Sequence, residues 1–304
     1  MNKCKYIILT IILILFIINI DIVINSTKEA SILFFNKVFI SIFPFIILSE
    51  ILIYYDYHIF LNKIFGNFLS KLFNIDKNST IVFILSMLTS SPSNSIFIKD
   101  MLDNNLIDIK TANKIICYTY FPSISFVMGI SLSIFKNLKI GLILWLNVLL
   151  NNIIIGLYLR KEKIIINNNI KPLKKDNLIT ILKESIIKGI NTSTIILGNL
   201  IIFTILINII DKYINCNITL LLELTSSIIK ISNMNITNEI KLLLIQFMLC
   251  FSSISIILQS ITILNKYKFN IKKILIIKLV FSLLICSLST CIYFFIIKYY
   301  RWIE

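Results

Sequence analysis

Apolar runs separated by short polar or basic segments fill almost the whole chain. A helix needs about 20 apolar residues to cross roughly 30 Å of hydrocarbon. Residues 140–159, 191–210 and 242–264 supply such runs without any charge, and residues 6–24, 30–55 and 274–297 read as further spans. Residues 56–77 follow another rhythm. Asn62, Lys63, Gly66, Asn67, Ser70, Lys71 and Asn74 recur at helical intervals against Leu61, Ile64, Phe65, Phe68, Leu69 and Leu72. That pattern predicts a basic amphipathic helix lying in the membrane interface. A shorter amphipathic stretch is predicted at 178–190, ahead of the span 191–210.

Two runs fit neither description. Residues 79–102 are long enough to cross, but their middle is TSSPSNS, which holds Ser90, Ser91, Pro92, Ser93 and Asn94. Residues 218–229 are too short to cross and contain Glu223, Thr225, Ser226 and Ser227. The run 242–264 is itself interrupted by Ser252, Ser253 and Ser255, and a helix N-capped by Asp108 stops at Pro122 before 126–135. Pro92 lacks an N–H and frees backbone groups that cost several kcal/mol each against lipid. Unwound backbone at that depth survives only inside protein or beside a water-filled cavity, and transporters build binding sites from such half-helices. Serines that merely join helices are the alternative reading.

Charge distribution orients the chain. The six basic residues between Arg160 and Lys175 and those between Lys266 and Lys273 fall between apolar runs, as cytoplasmic loops do. With Lys3 and Lys5 inside, a fully crossing 79–102 would leave the 160–176 linker outside. A re-entrant hairpin that returns to its own side keeps it inside. Met87-Leu88 before TSSPSN and Met248-Leu249 before CFSSIS suggest two related halves, inverted if their hairpins start from opposite sides. The expected fold is therefore all-α and polytopic: an N-terminal span at 1–28, halves at 29–159 and 177–304, and the basic linker 160–176.

Composition narrows the chemistry. Of 304 residues, 57% are hydrophobic and the mean hydropathy is +0.90, which sets this chain apart from soluble domains. The net charge of +15 sits in the loops and is assigned to topology, so no nucleic-acid partner is expected. Six cysteines without a CxxC pair and a single histidine, His58, predict neither a metal site nor a disulfide framework. No nucleophile–base pair and no phosphate-binding glycine–lysine loop is present, so neither an enzyme nor a cofactor is expected. Residues 6–24 lack a small-residue cleavage site and read as an uncleaved span. Lys278 is expected to extend its amine towards the interface.

Five stretches resemble, in order, the sporulation integral membrane protein family called YlbJ, whose members carry nucleoside-recognition or Gate domains. FPFIILSEILI (43–53) is similar to the family's Phe-Pro…Ser-Glu span, and SSPSNSIFIKDMLDNNLI (90–107) to its S-G-x-P-S-N-A…K-(D/E)-x-L-x-x-x-x-I block. FPSISFVMG (121–129) is similar to F-S-N-P-L-F-I-x-G at Phe121, Phe126 and Gly129, LLELTSS (221–227) to L-L-E-x-T-x-G, and FSSISIILQ (251–259) to F-G-G-x-S-x-x-x-Q. Serine stands for glycine of the pattern at Ser91, Ser227, Ser252 and Ser253, and Ile124-Ser125-Phe126 stands for its P-L-F. The resemblance implies two Gate-like halves and a role in spore maturation and cortex formation, in the bacterial cell membrane or the forespore membrane. It implies a permease or transport-related component for a small polar solute.

The residues expected to line the solute or ion pathway are Ser90, Ser91, Pro92, Ser93, Asn94, Glu223, Thr225, Ser226, Ser252, Ser253, Ser255 and Gln259, with Glu50 as a second ion-coupling carboxylate beside Glu223. Intramembrane carboxylates ordinarily face a partner or cavity. Membrane lipids, the solute, and a second copy or other spore-envelope proteins are the expected partners. Two other readings stay open: a non-transporting scaffold for spore-envelope assembly, and a general nucleoside importer.

Overall fold

Every regular element among the described residues is a helix. The computed structural model describes residues 2–55, 57–103, 105–162, 177–214 and 217–300. Helix α1 (Asn2–Ile18) meets α2 (Ile20–Leu33) at Asn19, and α2 passes through a π-helical stretch (Phe34–Phe39) into α3 (Ile40–Tyr54). Next come α4 (Tyr57–Leu61), a second π-helical stretch (Asn62–Gly66), α5 (Asn67–Phe73), α6 (Lys77–Thr89) and α7 (Ser93–Asp103). Helix α8 (Ile109–Ile115) and a 3-10 turn (Ile116–Tyr118) precede α9 (Ile124–Phe135) and α10 (Leu138–Tyr158). The second half holds α11 (Leu178–Ile214), a 3-10 turn (Asn217–Leu221), α12 (Leu224–Asn233), α13 (Asn238–Phe251), α14 (Ile254–Ile263) and α15 (Ile271–Tyr300).

The distribution of side chains is that of a protein solvated by lipid. Leu142, Ile143, Leu146 and Leu150 of α10 point outward, while Asn151 and Asn152 of the same helix are fully buried. Among the described residues, three helical stretches are long and apolar enough to cross a membrane: Leu138–Lys161, Leu178–Ile214 and Asn238–Ile263. This is an all-α membrane protein. Helix α11, at 37 residues, is about 55 Å long, longer than the hydrocarbon layer, and it is uncharged only between Lys188 and Asp211.

Hydrogen bonds between distant loops fix which elements share an end. At one end, Lys114 Nζ donates to the Asn74 carbonyl at 3.0 Å, Asn74 Nδ2 to the Arg160 carbonyl at 3.2 Å, and Asn113 Nδ2 to the Lys268 carbonyl at 3.2 Å. Lys273 pairs there with Glu162 at 2.7 Å. Tyr267 donates to Asp103 at 2.6 Å, a bond that raises its phenol above the ordinary tyrosine range. We call this the basic end. It gathers the residues just before α6, the end of α7, the end of α10 and the loop joining α14 to α15. Both ends of the α6–α7 unit thus lie together, and the unit goes in and comes back, as expected of a re-entrant hairpin.

The other end is laced around the end of α11. Asp211 accepts from Thr219 at 2.9 Å and pairs with Lys230, and Lys241 donates to the Ser232 carbonyl at 2.7 Å. Thr219 precedes α12 and Lys230 lies near its end, so the 3-10 turn and α12 form a second re-entrant hairpin that starts from this far end. The order in the first half is a long helix (α2–α3), a hairpin (α6–α7), a broken span (α8, 3-10 turn, α9) and a span (α10). The second half repeats that order with opposite direction: α11, the α12 hairpin, the broken span α13–α14, and α15. Long helices α2–α3 and α11 pack antiparallel, with Asn208 Nδ2 on Ser26 Oγ at 2.8 Å and Phe43 against Gly189.

Four expectations change. The 6–24 span is instead broken by an 89° bend at Asn19, because that buried side chain accepts from Lys212 at 2.8 Å and Tyr213 at 3.1 Å at the end of α11. The 178–190 stretch is no separate element but the first turns of α11. The 57–73 helix keeps Lys63, Asn67 and Lys71 exposed and turns Ile64, Phe65 and Phe68 outward, while Leu61, Leu69 and Phe73 pack inward together with Asn62, which accepts from Thr80 at 2.8 Å. Lys278 does not reach the interface; it is fully buried, 3.5 Å from Asn152 Oδ1 and 5.4 Å from the centre of the Tyr120 ring. Ser227 needs no glycine-like backbone, since it sits in α12. The linker expected at 160–176 lies outside the described residues beyond Glu162.

Candidate functional site

The four breaks meet in the middle of the protein. At 1.5 Å per residue, α6 (13 residues) and α13 (14 residues) each carry the chain about 20 Å inward before they stop. Helix α6 ends at Ser90, where φ 73° and ψ 160° lie in a region normally open only to glycine. Ser91 and Pro92, joined by a cis peptide bond, follow before α7 starts at Ser93. In the second half, Ser252 (φ 72°, ψ 10°) and Ser253 (φ 61°, ψ 156°) interrupt α13–α14. The strained serine of the first break is Ser90, two positions before Pro92, which is where an S-G-x-P pattern places its glycine; the expectation at Ser91 is one position off.

Each hairpin tip is tied to the broken span of its own half through the backbone. Ser91 donates its N–H to the Phe121 carbonyl at 2.7 Å and accepts the Phe121 N–H on Oγ at 3.0 Å. Ser255 donates its N–H to the Leu222 carbonyl at 2.8 Å. These bonds take up peptide groups that the breaks free, as groups without water must be. The asparagine pair of α10 completes the set: Asn152 Nδ2 donates to the Tyr120 carbonyl at 2.7 Å and Asn151 Nδ2 to the Cys250 carbonyl at 3.4 Å.

Between the breaks lies a cavity of about 80 Å³. The first hairpin contributes Ser90, Ser91 and Pro92, the first broken span Phe121, Pro122, Ser123 and Phe126, and the second hairpin Glu223, Leu224 and Thr225. Leu249, Ser252, Ile256 and Gln259 come from the second broken span, and Val38, Ile196 and Leu200 close the side. Helix N-termini turn toward this space. Ser123 Oγ caps α9 by accepting from Phe126 N at 3.2 Å, and Glu223 caps α12, its Oε1 accepting from Thr225 N at 3.0 Å and its Oε2 from Ser226 N. The buried Ser90 hydroxyl has no partner at all, which marks a polar position left for something else to fill.

Of the expected pathway residues, Ser90, Ser91, Pro92, Glu223, Thr225, Ser252 and Gln259 line the cavity together. Gln259 is itself held by Ser255 at 3.1 Å. Ser93, Asn94, Ser253 and Ser255 stand behind this lining, buried in their helices and breaks, with Asn94 Nδ2 donating to Thr119 Oγ1 at 3.3 Å. Ser226 lines a different cavity, between α2, α11 and α12. The Glu50 side chain lies outside the described residues. The sequence reading missed Phe121, Pro122 and Ser123 in the lining, the supporting Asn151–Asn152 pair, and Lys278. The signal for the last two was available: paired asparagines within an uncharged run, and a lysine inside a span.

No family model, curated protein or solved structure matches this chain.

Proposed function

We propose that this protein is a permease, or a transport component, for a small polar solute, acting in endospore formation as its resemblance to the YlbJ family implies. The observation that carries the transport part is the meeting of two oppositely directed hairpins and two broken spans at one cavity, where Ser90, Glu223, Thr225 and Gln259 stand among apolar side chains. Unwound segments at mid-depth cost too much to persist as mere connections, and alternating exposure of a central site is what inverted halves achieve. The cavity, at about 80 Å³, is smaller than the ~150 Å³ void that accepts benzene, so this conformation suits a few waters or a small solute rather than a nucleoside.

Glu223 has a double role in this reading. Its carboxylate holds the N-terminus of α12, and the same group faces the solute. The sporulation role rests on the resemblance alone. Deletion in the spore-forming host should lower spore heat resistance and leave the cortex incomplete, with rescue by the unaltered gene. Glu223→Gln keeps one acceptor for the cap but removes the charge, so failure of that variant to rescue assigns the charge to transport. Spores of ordinary heat resistance from the deletion strain would remove the sporulation role.

A further inference from the structure

We propose that the solute reaches the central cavity from the end opposite the basic loops, through a crevice between α9 and α12, with Phe126 and Thr225 at its inner mouth and α12 as its movable wall. This rests on the permease reading. A second cavity of about 380 Å³ lies between the two helices and shares Phe126 and Thr225 with the central one. On the α9 side it is lined by Ser125, Gly129 and Ser133, one helical turn apart, with Ile130 and Ile134 beside them, and on the α12 side by Ile228, Ile229 and Ser232. A Cβ placed on Gly129 would meet nothing within 4 Å, so this glycine faces open space rather than a tightly packed neighbour. Other exposed positions of α9 carry Ile124 and Leu132, as lipid-facing positions do. The hydroxyls of Ser125, Ser133, Thr225 and Ser232 give water polar partners along an otherwise apolar wall of Ile130, Ile134, Ile228 and Ile229.

The route toward the basic end is shut. Phe121, at the floor of the central cavity, packs on Phe83 with ring centres 5.4 Å apart, and Phe83 on Phe73 at 5.1 Å. Phe73 in turn stacks on Tyr118 at 4.9 Å and fits so closely over Gly156 that a Cβ there would sit 2.5 Å from its ring. The α12 wall has room to move on its other side too, where a cavity of about 400 Å³ separates it from α2 and α11. The conformation is therefore open toward the far end and closed toward the basic one. By the positive-inside rule, that is the non-cytoplasmic side.

The experiment uses the full chain with its native cysteines replaced by alanine, in sealed vesicles whose orientation is fixed by protease access to the Lys266–Lys273 loop. The probe is a charged, membrane-impermeant methanethiosulfonate. Thr225→Cys should label from the end opposite that loop, and adding Gly129→Phe should slow labelling by about tenfold, since the rate follows the population of open paths. Gly129→Ala should leave the rate within about twofold on the same basis. Ser133→Cys, at the outer mouth, should label in every background and so report an intact fold. Labelling of Thr225→Cys that ignores Gly129→Phe, or that comes from the basic end, overturns the route alone. Ser133→Cys reacting with an apolar maleimide but not with the charged probe makes the crevice a lipid-filled groove and overturns the route likewise. No labelling of Thr225→Cys from either end, with Ser133→Cys labelled, removes the wet cavity and with it the permease reading.

Discussion

The two re-entrant hairpins occupy equivalent places in opposite halves, yet they are built to different tolerances. Of the eleven residues of α7, eight are buried, and its tip is tied to Phe121 by two hydrogen bonds. Only four of the ten residues of α12 are buried, the second tip has a single bond from Ser255 to Leu222, and cavities of about 380 and 400 Å³ flank the helix. Close packing gives a wall that resists displacement, whereas an element with few buried contacts opens at lower free energy. One hairpin is thus a fixed reference and the other the moving part, and a symmetric pair of halves acquires an asymmetric device from packing alone.

The largest effect is expected where the fixed side takes up its freed backbone. Asn152→Leu removes the donor on the Tyr120 carbonyl and the oxygen beside Lys278, both fully buried. Leaving buried polar groups unpaired costs about 1–3 kcal/mol each, so a loss near 3 kcal/mol is expected in detergent unfolding. Asn151→Leu, whose bond to Cys250 is long at 3.4 Å, should lose clearly less. Equal losses would mean that the two broken spans are supported alike and that the asymmetry stops at the hairpins.

Amide hydrogen exchange tests the hairpins directly. Residues of α12 should exchange at least about tenfold faster than those of α7, a difference of some 1.4 kcal/mol in opening. Similar protection in both helices would contradict the assignment of α12 as the moving wall.

How far the sequence shows this architecture depends on whether the determinant is local. Pro92 and the serines around it announce a break wherever they stand, and Asp108 and Glu223 carry helix starts in their own neighbourhoods; the structure has breaks or starts at each. The uncharged runs gave the span-forming stretches for the same reason. The bend at Asn19 depends on Lys212 and Tyr213, nearly two hundred positions away, and nothing near Asn19 signals it. Lys278 stands out as a charge within a span, but what holds it there, Asn152 and Tyr120, lies far away in sequence. In the 57–73 helix the exposed Lys63, Asn67 and Lys71 and the outward Ile64, Phe65 and Phe68 follow the local pattern, while the buried Asn62 depends on Thr80, outside that helix.

The smallest predicted effect addresses the tips. Ser90 and Ser253 share nearly the same backbone conformation, φ 73° and ψ 160° against φ 61° and ψ 156°, one at the fixed tip and one in the broken span behind the moving tip. A non-glycine residue held there stores about 1–3 kcal/mol, and glycine would release it less a few tenths to about 1 kcal/mol for its freer unfolded chain. The Ser90 hydroxyl has no partner to lose, so Ser90→Gly should stabilise the protein by about 1 kcal/mol. Ser253→Gly gives up a long capping bond of 3.5 Å to Ile256 and should gain less. Ser91→Gly should do the reverse, because its Oγ is the acceptor for Phe121 N–H and that donor would be left buried. Thermal unfolding of the three variants in one detergent separates these signs. If Ser91→Gly proves the stabilising change, the tip backbone is other than described; if Ser90→Gly does, the strain at Ser90 is what serine costs this chain at its fixed tip.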